Sequence, residues 1–351
     1  MITIGSDTHL KTSTFSVVED GQKIMRQKLN NDPEELLNFI HQFPEEKQFA
    51  MEATYNWPIF YELIKDEVGQ FHLIHPKKLK AIIESQDKCD THDADQLAYL
   101  TDIGYIPKAY CANAPTRQFR NLLRTFIRLS GLIASIKNRI HAIVNTNTFY
   151  SQRPKNFKDL FCKRGLAFLN SLPLSDHPRF LINQLLSQIQ SLEFLKSSLR
   201  EYIQSLDFHS QDSLVLKTAP GMGGSVLRYV VLSEIDQISR FKNPRALIAY
   251  AGLIPKEKSS GGKIRKGHLR TDSNHFLQWA LIEAVTGALR KDPALRPYYK
   301  EVKQRAGSSA ARIAVARKLL TAIFYVLKEQ RPYYYGSTSQ PRVAHSRPLS
   351  A

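Results

Sequence analysis

Ile2-Thr3-Ile4-Gly5-Ser6-Asp7-Thr8-His9 opens the chain, and its reading decides the fold. Residues 2–6 have the short β-branched character of a strand, and Asp7 ends it. Two more strand-like runs follow, at 13–18 and 23–29, with Glu19-Asp20-Gly21 as the turn between them. Asp32-Pro33-Glu34-Glu35 then reads as a helix start: a capping residue, proline at the first position and acids in the first turn. A strand at 49–53, a helix at 58–67 and a strand at 71–75 come next. Pro76 opens another helix, and one more is expected over 93–100.

Three meandering strands followed by alternating helices and strands is the order of a ribonuclease H-like (RuvC-like) α/β domain. In that order the first and fourth strands can each carry an acid to the sheet centre. Asp7 ends the first. Glu52 lies inside Gln48-Phe49-Ala50-Met51-Glu52-Ala53-Thr54, and an acid in such an apolar strand is costly to bury unless it binds a cation or a proton. Asp90 and Asp93 stand three apart at a helix start, so their side chains can share one space. Each acid alone reads as a strand-end or helix cap. Together, Asp7, Glu52, Asp90 and Asp93 form a spaced quartet suited to one or two Mg²⁺ ions, or Mn²⁺, which take oxygen ligands and substrate phosphate. His9, His72, His75 and His92 have no H-x-x-x-H spacing that would support a transition-metal site instead.

The chain has 351 residues, enough for two or three domains, and a formal charge of +17 that points to a polyanionic partner. The charge is unevenly spread. Residues 1–115 hold 11 Lys/Arg against 18 Asp/Glu, residues 116–205 hold 14 against 4, and residues 206–351 hold 24 against 10. An acidic catalytic unit beside basic nucleic-acid grips fits this split. The three isolated cysteines, Cys89, Cys111 and Cys162, form no CxxC pair, which argues against a zinc site or a disulfide framework. No signal-peptide layout and no apolar run of membrane-spanning length is present, so a soluble, cytoplasmic, nucleoid-associated protein with no membrane partner is expected.

Residues 116–205 read as nearly all helix. Leu122, Phe126, Leu129, Ile133, Ile136, Ile140 and Ile143 form a heptad seam, as do Ile182, Leu185, Ile189, Leu192, Leu199, Ile203 and Leu206, with Lys196 as the one polar member of the second. The two helices can pair as a coiled-coil hairpin within one chain or with another subunit. Arg117, Arg120, Arg124 and Arg128 line one face without interleaved acids, which reads as a phosphate-contacting rail or a solvated face.

In the last third, an apolar run leads through Ala219-Pro220-Gly221-Met222-Gly223 into a helix at 226–234. Small residues there let backbone N–H groups approach a phosphate. Further on, Ser259-Ser260-Gly261-Gly262 is flanked by Lys256, Lys258, Lys263, Arg265, Lys266 and Arg270, and reads as one flexible cationic loop. A serine there needs a base, a metal or nearby cations to act as a nucleophile. Helices at 274–290 and 308–327 precede a Tyr-, Ser-, Pro- and Arg-rich end that reads as a flexible basic tail over 332–351.

Several blocks, in order, resemble those of the DEDD transposases of bacterial insertion sequences, the insertion-sequence one-ten family. Gly5-Ser6-Asp7-Thr8-His9-Leu10-Lys11 is similar to that family's G-I-D-V-S-K start. Met51-Glu52-Ala53-Thr54-Tyr55 resembles its M-E-A-T-G block, with Tyr55 in place of glycine. Lys88-Cys89-Asp90-Thr91-His92-Asp93-Ala94 resembles K-T-D-x-x-D-A. Ala219–Gly223 resembles P-G-x-G, and Ala251-Gly252-Leu253-Ile254-Pro255 with Ser259–Gly262 resembles the G-L-x-P and S-G block. The family's later K-x-G-N block stands here as Arg270-Thr271-Asp272-Ser273-Asn274.

The resemblance implies a RuvC-like domain, a helical coiled-coil domain and a mainly helical C-terminal transposase domain, placed at 1–115, 116–205 and 206–331 ahead of the tail at 332–351. It implies a recombinase joining donor and target double-stranded DNA under guidance of a bridge RNA. Because the acids and the serine lie far apart in the chain, a dimer or tetramer that brings them together across subunits is expected. The family's four metal-binding acids carry over to Asp7, Glu52, Asp90 and Asp93. Its nucleophilic serine carries over to Ser260, with Ser259 the runner-up, and is expected to hold the cut strand as a phosphoserine. A RuvC-like two-metal endonuclease that hydrolyses DNA junctions is the alternative reading of the same acids.

Overall fold

The computed structural model describes the chain except residues 45, 83–89, 149–158, 207–209, 261–262, 270–271 and 336–351; for 90–92, 256–260 and 263–269 it describes the backbone alone. Lys88, Cys89, Gly261, Gly262, Arg270, Thr271 and most of the expected tail therefore lie outside the described residues. The chain divides into two compact units, Met1–Ala114 and Pro115–Ala351.

The first unit is built on strands β1 (Ile2–Thr8), β2 (Thr12–Glu19), β3 (Gln22–Asn30), β4 (Gln48–Glu52) and β5 (Gln70–Ile74), with helices α1 (Pro33–Ile40), α2 (Trp57–Ile64), α3 (Pro76–Lys80) and α4 (Asp90–Asp102). The strand order is β3-β2-β1-β4-β5. The first three strands are antiparallel; β4 runs parallel to β1, and β5 parallel to β4. This is the expected ribonuclease H-like sheet. Asp20 and Gly21, both at positive φ, close the β2–β3 hairpin. Asp32 caps α1 as expected: its Oδ1 accepts from the N–H groups of Glu34 and Glu35 at 2.9 and 3.2 Å.

One sheet face packs Ile4, Phe15 and Phe49 against Leu36, Phe39, Ile40, Phe60 and Ile64 of α1 and α2. Fully burying each such side chain contributes about 1.5–3 kcal/mol. The other face receives α4, which begins at Asp90, one turn earlier than expected, and packs Leu97 with Ala50, Ile74 and Leu79. Gly5 makes that approach possible. A Cβ at this position would stand 2.7 Å from the Ala94 carbonyl oxygen and 2.8 Å from the Ala98 Cα. The far end of α4 is tied down by a buried polar chain. His72 Nε2 donates to Gln48 Oε1 (3.1 Å), Gln48 Nε2 to Thr3 Oγ1 (2.9 Å), and Thr3 Oγ1 to Asp102 Oδ1 (2.9 Å).

The second unit starts with α5 (Ala114–Asn147) and continues through α6 (Lys163–Ser171), α7 (Asp176–Ser205), α8 (Gln211–Leu216), α9 (Ser225–Ile235) and α10 (Pro244–Tyr250). A two-stranded hairpin, β6 (Pro255–Ser260) and β7 (Lys263–Leu269), precedes α11 (His275–Lys291) and α12 (Leu295–Glu329). The seam of α5 divides between two partners. Ile133, Ile140 and Val144 share a core with Leu160, Leu169, Leu172, Ile182, Leu185 and Ile189, so α5 and α7 pack together within one chain. Phe119, Leu123, Phe126 and Ile127 instead join Ile203 and the apolar faces of α8 to α12. At 34 residues and about 1.5 Å rise per residue, α5 is long enough to serve both. Residues 116–205 and 206–331, expected as separate domains, thus contribute to a common core.

Gly307, at φ 84°, separates a helical segment that begins at Leu295 from the helix expected at 308–327, which runs on to Glu329. One expectation near the C-terminus is corrected. The first tail residues are packed rather than flexible: Tyr333 donates through its hydroxyl to Asp292 Oδ2 (2.5 Å) and through its N–H to Thr218 Oγ1 (2.9 Å), and the Tyr335 hydroxyl donates to the Thr218 carbonyl (2.8 Å). Aromatic rings with hydrogen-bond partners outweigh the composition. Among the described residues, no helix is long and apolar enough to cross a membrane.

Replacing Gly5 with alanine places a methyl group against fixed backbone, so a loss of about 1–3 kcal/mol is expected in urea unfolding; an unchanged midpoint would show that α4 can move away at no cost. A second expectation concerns pH. Burial first, and Lys108 second, hold the His72 imidazole below its ordinary range. The unfolded chain therefore takes up a proton near pH 6.5 while the folded chain does not, and stability is lost as pH falls from about 6.5 toward the depressed folded value. The slope is at most about 1.4 kcal/mol per pH unit for this one group, and His72→Gln should remove that part of it in thermal melts at pH 7 and pH 5.

Candidate catalytic acids and the serine hairpin

The β1–β4 register pairs Ser6 with Met51, so the next step along each strand sets Asp7 beside Glu52 at the C-terminal edge of the parallel pair. Both belong to the α4 face. Thr3 and Gly5, four and two residues before Asp7, contact Asp102 and the Ala94–Ala98 backbone. Gln48 and Ala50, which precede Glu52 at the same spacing, contact Thr3 and the Leu97 cluster. Because Asp102 meets the start of β1 and Ala94 meets Gly5, α4 runs antiparallel to β1. Its first turn, with Asp90 and Asp93, therefore lies at the edge that carries Asp7 and Glu52. Asp93 is exposed, Glu52 half-buried and the Asp7 side chain 22% exposed.

The loops around this edge are pinned by side chains that composition does not flag. Asn56 Nδ2 and Asn31 Nδ2 both donate to the His9 carbonyl, at 3.0 and 2.7 Å. Thr54 Oγ1 donates to Asn56 Oδ1 (2.7 Å), and Thr8 Oγ1 lies 3.3 Å from Thr54 Oγ1. His9 Nε2 is 3.3 Å from Asp7 Oδ2. Tyr55, where the resemblance departs from glycine, is 68% exposed and leaves this network undisturbed. Among the described residues no three His, Cys, Asp or Glu side chains form a metal-binding group, and Asp90 is described by its backbone alone. The donor chemistry still fits a hard divalent cation: two carboxylates on one sheet face repel each other unless a cation lies between them.

Ser260 does not sit in a flexible loop. It ends β6 and pairs with Lys263 at the start of β7, while Ser259 pairs with Ile264. Lys256 and Lys258 lie on β6; Lys263, Arg265 and Lys266 lie on β7, with Lys258 opposite Arg265 and Glu257 opposite Lys266. Gly261-Gly262 between two runs is a two-residue hairpin signal, overlooked because Gly, Ser and Lys also compose linkers.

The arginine rail on α5 is corrected in part. Its acid partner is absent from α5 but arrives from α9. Glu234, 1% exposed, accepts from Arg124 Nε and Nη2 at 2.7 and 2.8 Å. Arg120 Nε donates to the Ser233 carbonyl (2.6 Å) and stands 3.8 Å from Glu234 Oε2. Arg120 and Arg124 are thus used in folding. Arg117 is half-buried, and Arg128 remains exposed, 5.9 Å from the Phe276 ring centroid.

Glu234 also accepts from Asn274 Nδ2 (2.8 Å), and the Asn274 N–H donates to the Tyr250 carbonyl (2.8 Å). Asn274 caps α11, accepting from the Leu277 N–H at 3.0 Å. Gly252, at φ 67°, packs against Ser273, and Gln278 Nε2 donates to its carbonyl at 2.9 Å; Arg317 Nε donates to the Leu253 carbonyl. Both roots of the hairpin are therefore anchored in the helical core by residues that sequence reasoning missed, except that an asparagine before a helix is a recognisable cap.

Comparison with known proteins agrees with both parts. Residues 4–148 match the model of the DEDD transposases of the IS110 type, and residues 213–300 match that of the transposase IS116/IS110/IS902 family. DEDD transposase domains typically use divalent metal ions. A probable family 20 transposase of Pseudomonas aeruginosa is 21% identical over 294 residues, covering 82% of this chain and 86% of the relative. The transposase for insertion sequence element IS1111A of Coxiella burnetii is 21% identical over 278 residues, covering 76% and 73%. The pilin gene-inverting protein of Moraxella bovis is 32% identical over 123 residues, covering 34% of this chain and 38% of the relative.

The Glu234 cluster makes a quantitative expectation. Glu234→Ala strands the partly buried Arg124 and should cost roughly 3–5 kcal/mol in chemical unfolding, whereas Glu234→Met combined with Arg124→Met should recover much of that. A loss below about 1 kcal/mol for the single change would show that solvent replaces the carboxylate.

Proposed function

Because the chain carries the two domains of IS110/IS116-type transposases and is an enzyme that cleaves and rejoins DNA, we propose that it is the recombinase of an insertion sequence, joining donor and target DNA under guidance of a structured bridge RNA. The observation that carries the chemical part is the meeting of the α4 start with the Asp7–Glu52 edge, enforced by Gly5. Asp7, Glu52, Asp90 and Asp93 would hold Mg²⁺, which when bound supplies positive charge to a phosphodiester.

The covalent step belongs to Ser260. Its Oγ forms a bond to the scissile phosphorus while the bond from phosphorus to one ester oxygen breaks. The serine proton is lost, and the departing oxygen takes up a proton to become a strand-end hydroxyl. The strand is kept as a phosphoserine ester, so rejoining by the reverse displacement needs no high-energy cofactor. Lys256, Lys258, Lys263, Arg265, Lys266 and Arg270 give the hairpin the charge to stabilise the reacting phosphate. Arg128, exposed on α5, is the rail arginine assigned to nucleic acid; Arg120 and Arg124 are assigned to the fold. Sequence choice is delegated to RNA pairing, while the protein reads backbone charge and shape.

The acids and the serine belong to separate units of the chain. An oligomer, dimer or tetramer, in which one subunit supplies Ser260 to another's acids, is consistent with that separation. Strand transfer on a donor–target pair with guide RNA should fall by at least about 10³-fold in Asp7→Asn and in Ser260→Ala. A denaturation-resistant protein–DNA adduct should form in the wild type, map to 259–262 and vanish in Ser260→Ala. Cleavage by Ser260→Ala at the wild-type rate would remove the serine from the chemistry and leave a two-metal endonuclease using water.

A further inference from the structure

An open cleft of about 410 Å³ lies within the second unit, between α5, α7, the start of α9 and α11. Lys196 and Arg200 of α7 enter it over the same ring: Lys196 Nζ is 5.0 Å and Arg200 Cζ 5.5 Å from the Phe126 centroid. Burial first and the Arg200 charge second push the Lys196 ammonium below its ordinary range; Lys137 adds to this, while Glu193 and Glu283 oppose it. Among the described residues neither cation has a carboxylate at ion-pair distance, although Glu283 stands on the cleft wall. Two converging cations without a bonded acid form an anion site.

Two further features converge there. The α9 helix has Gly224 as its N-cap, with no side chain capping its first N–H groups, and nothing lies within 4 Å of where a Gly224 Cβ would be. The Pro220-Gly221-Met222-Gly223-Gly224 run thus leaves the positive end of α9 open to the cleft. Trp279 of α11, half-buried, adds a flat aromatic surface to the lining. Cations for a phosphate and an aromatic ring for a base are the two halves of single-strand recognition. Glu283 suits an exocyclic amino group rather than a second phosphate.

We propose that this cleft binds one unpaired nucleotide of a nucleic-acid strand, with its phosphate on Lys196, Arg200 and the first N–H groups of α9 and its base stacked on Trp279. That the ligand belongs to a strand rests on the recombinase reading; the phosphate-and-base chemistry rests on the cleft. DNA and RNA share this chemistry, and inorganic phosphate shares half of it.

The test uses the full chain carrying Asp7→Asn to block cleavage and Trp57→Phe, which leaves Trp279 as the one remaining tryptophan. Short oligothymidylate, oligouridylate, a blunt duplex and inorganic phosphate are titrated against Trp279 fluorescence. Quenching by a single strand, tightest for whichever of DNA or RNA is the natural source, is expected. Lys196→Met or Arg200→Gln should raise the apparent Kd about tenfold, and Trp279→Leu should weaken binding of the same strand measured by anisotropy. Melting curves establish that each variant is folded, and the exposed Arg200 provides the variant least able to disturb the core. Equal quenching by phosphate alone, equal quenching by the duplex, or a Kd unmoved in both cation variants would overturn the proposal. Strand transfer by the otherwise wild-type chain is followed in parallel, so an inert cleft in an active recombinase overturns this inference alone.

Discussion

Glu234 carries a negative charge at 1% exposure inside a helical core, and much of the second unit is arranged around that fact. An uncompensated buried carboxylate costs several kcal/mol, so every lone pair must find a donor. Arg124 supplies two N–H groups from α5 and Asn274 supplies one from the start of α11. The Glu234 backbone carbonyl accepts from Arg240 and from the Tyr250 hydroxyl, at 3.1 and 3.3 Å. One residue, through its side chain and its backbone carbonyl, thereby couples α5, α9, α10 and α11. Since Tyr250 and Asn274 flank the β6–β7 hairpin, the same network fixes both points from which that hairpin rises.

The first unit reaches a comparable end by different means. Its acids are placed by backbone approach, since Gly5 lets α4 lie directly on β1 and thereby sets the Asp90–Asp93 turn at the Asp7–Glu52 edge. Hydrogen bonds then lock what packing has positioned: the His72–Gln48–Thr3–Asp102 chain at one end of α4, and Asn31 and Asn56 on the turn after β1. Asp7 and Glu52 stay partly buried and Asp93 exposed, which leaves them accessible for the role proposed for them.

Formal charge overstates the surface offered to nucleic acid. Arg228 is buried, donating to Ser213 Oγ and to the carbonyls of Met222 and Gly223. Arg120, Arg124, Arg240 and Arg317 likewise spend donors on backbone carbonyls or Glu234. A guanidinium has five donors in a fixed fork, and a helical bundle with irregular connections has many terminal carbonyls to satisfy. Lys196 and Arg200 stand apart from these, since their charges converge on a cleft and, among the described residues, no acid is bonded to them.

Local sequence sufficed for the elements of the first unit. β-Branched runs, the Asp20-Gly21 turn and the Asp32-Pro33 helix start are decided within a few residues, and their order implies the sheet. The acids were legible for the same reason, as charges out of place in apolar strands or spaced at a helix start. The serine hairpin was legible in its residues but not in its shape, because Gly, Ser and Lys read alike as linker and as hairpin until Lys258, Ser259 and Ser260 are seen to pair with Arg265, Ile264 and Lys263. The fate of the α5 arginines lay beyond local reading, for their partner Glu234 is over a hundred residues away in the chain. The division of the heptad seam between α7 and the α8–α12 core, and the cleft around Lys196, were equally out of reach. Periodicity shows that a helix face is apolar or charged; only the tertiary structure decides which distant element meets it, because that choice is made by volume and charge complementarity across the whole core.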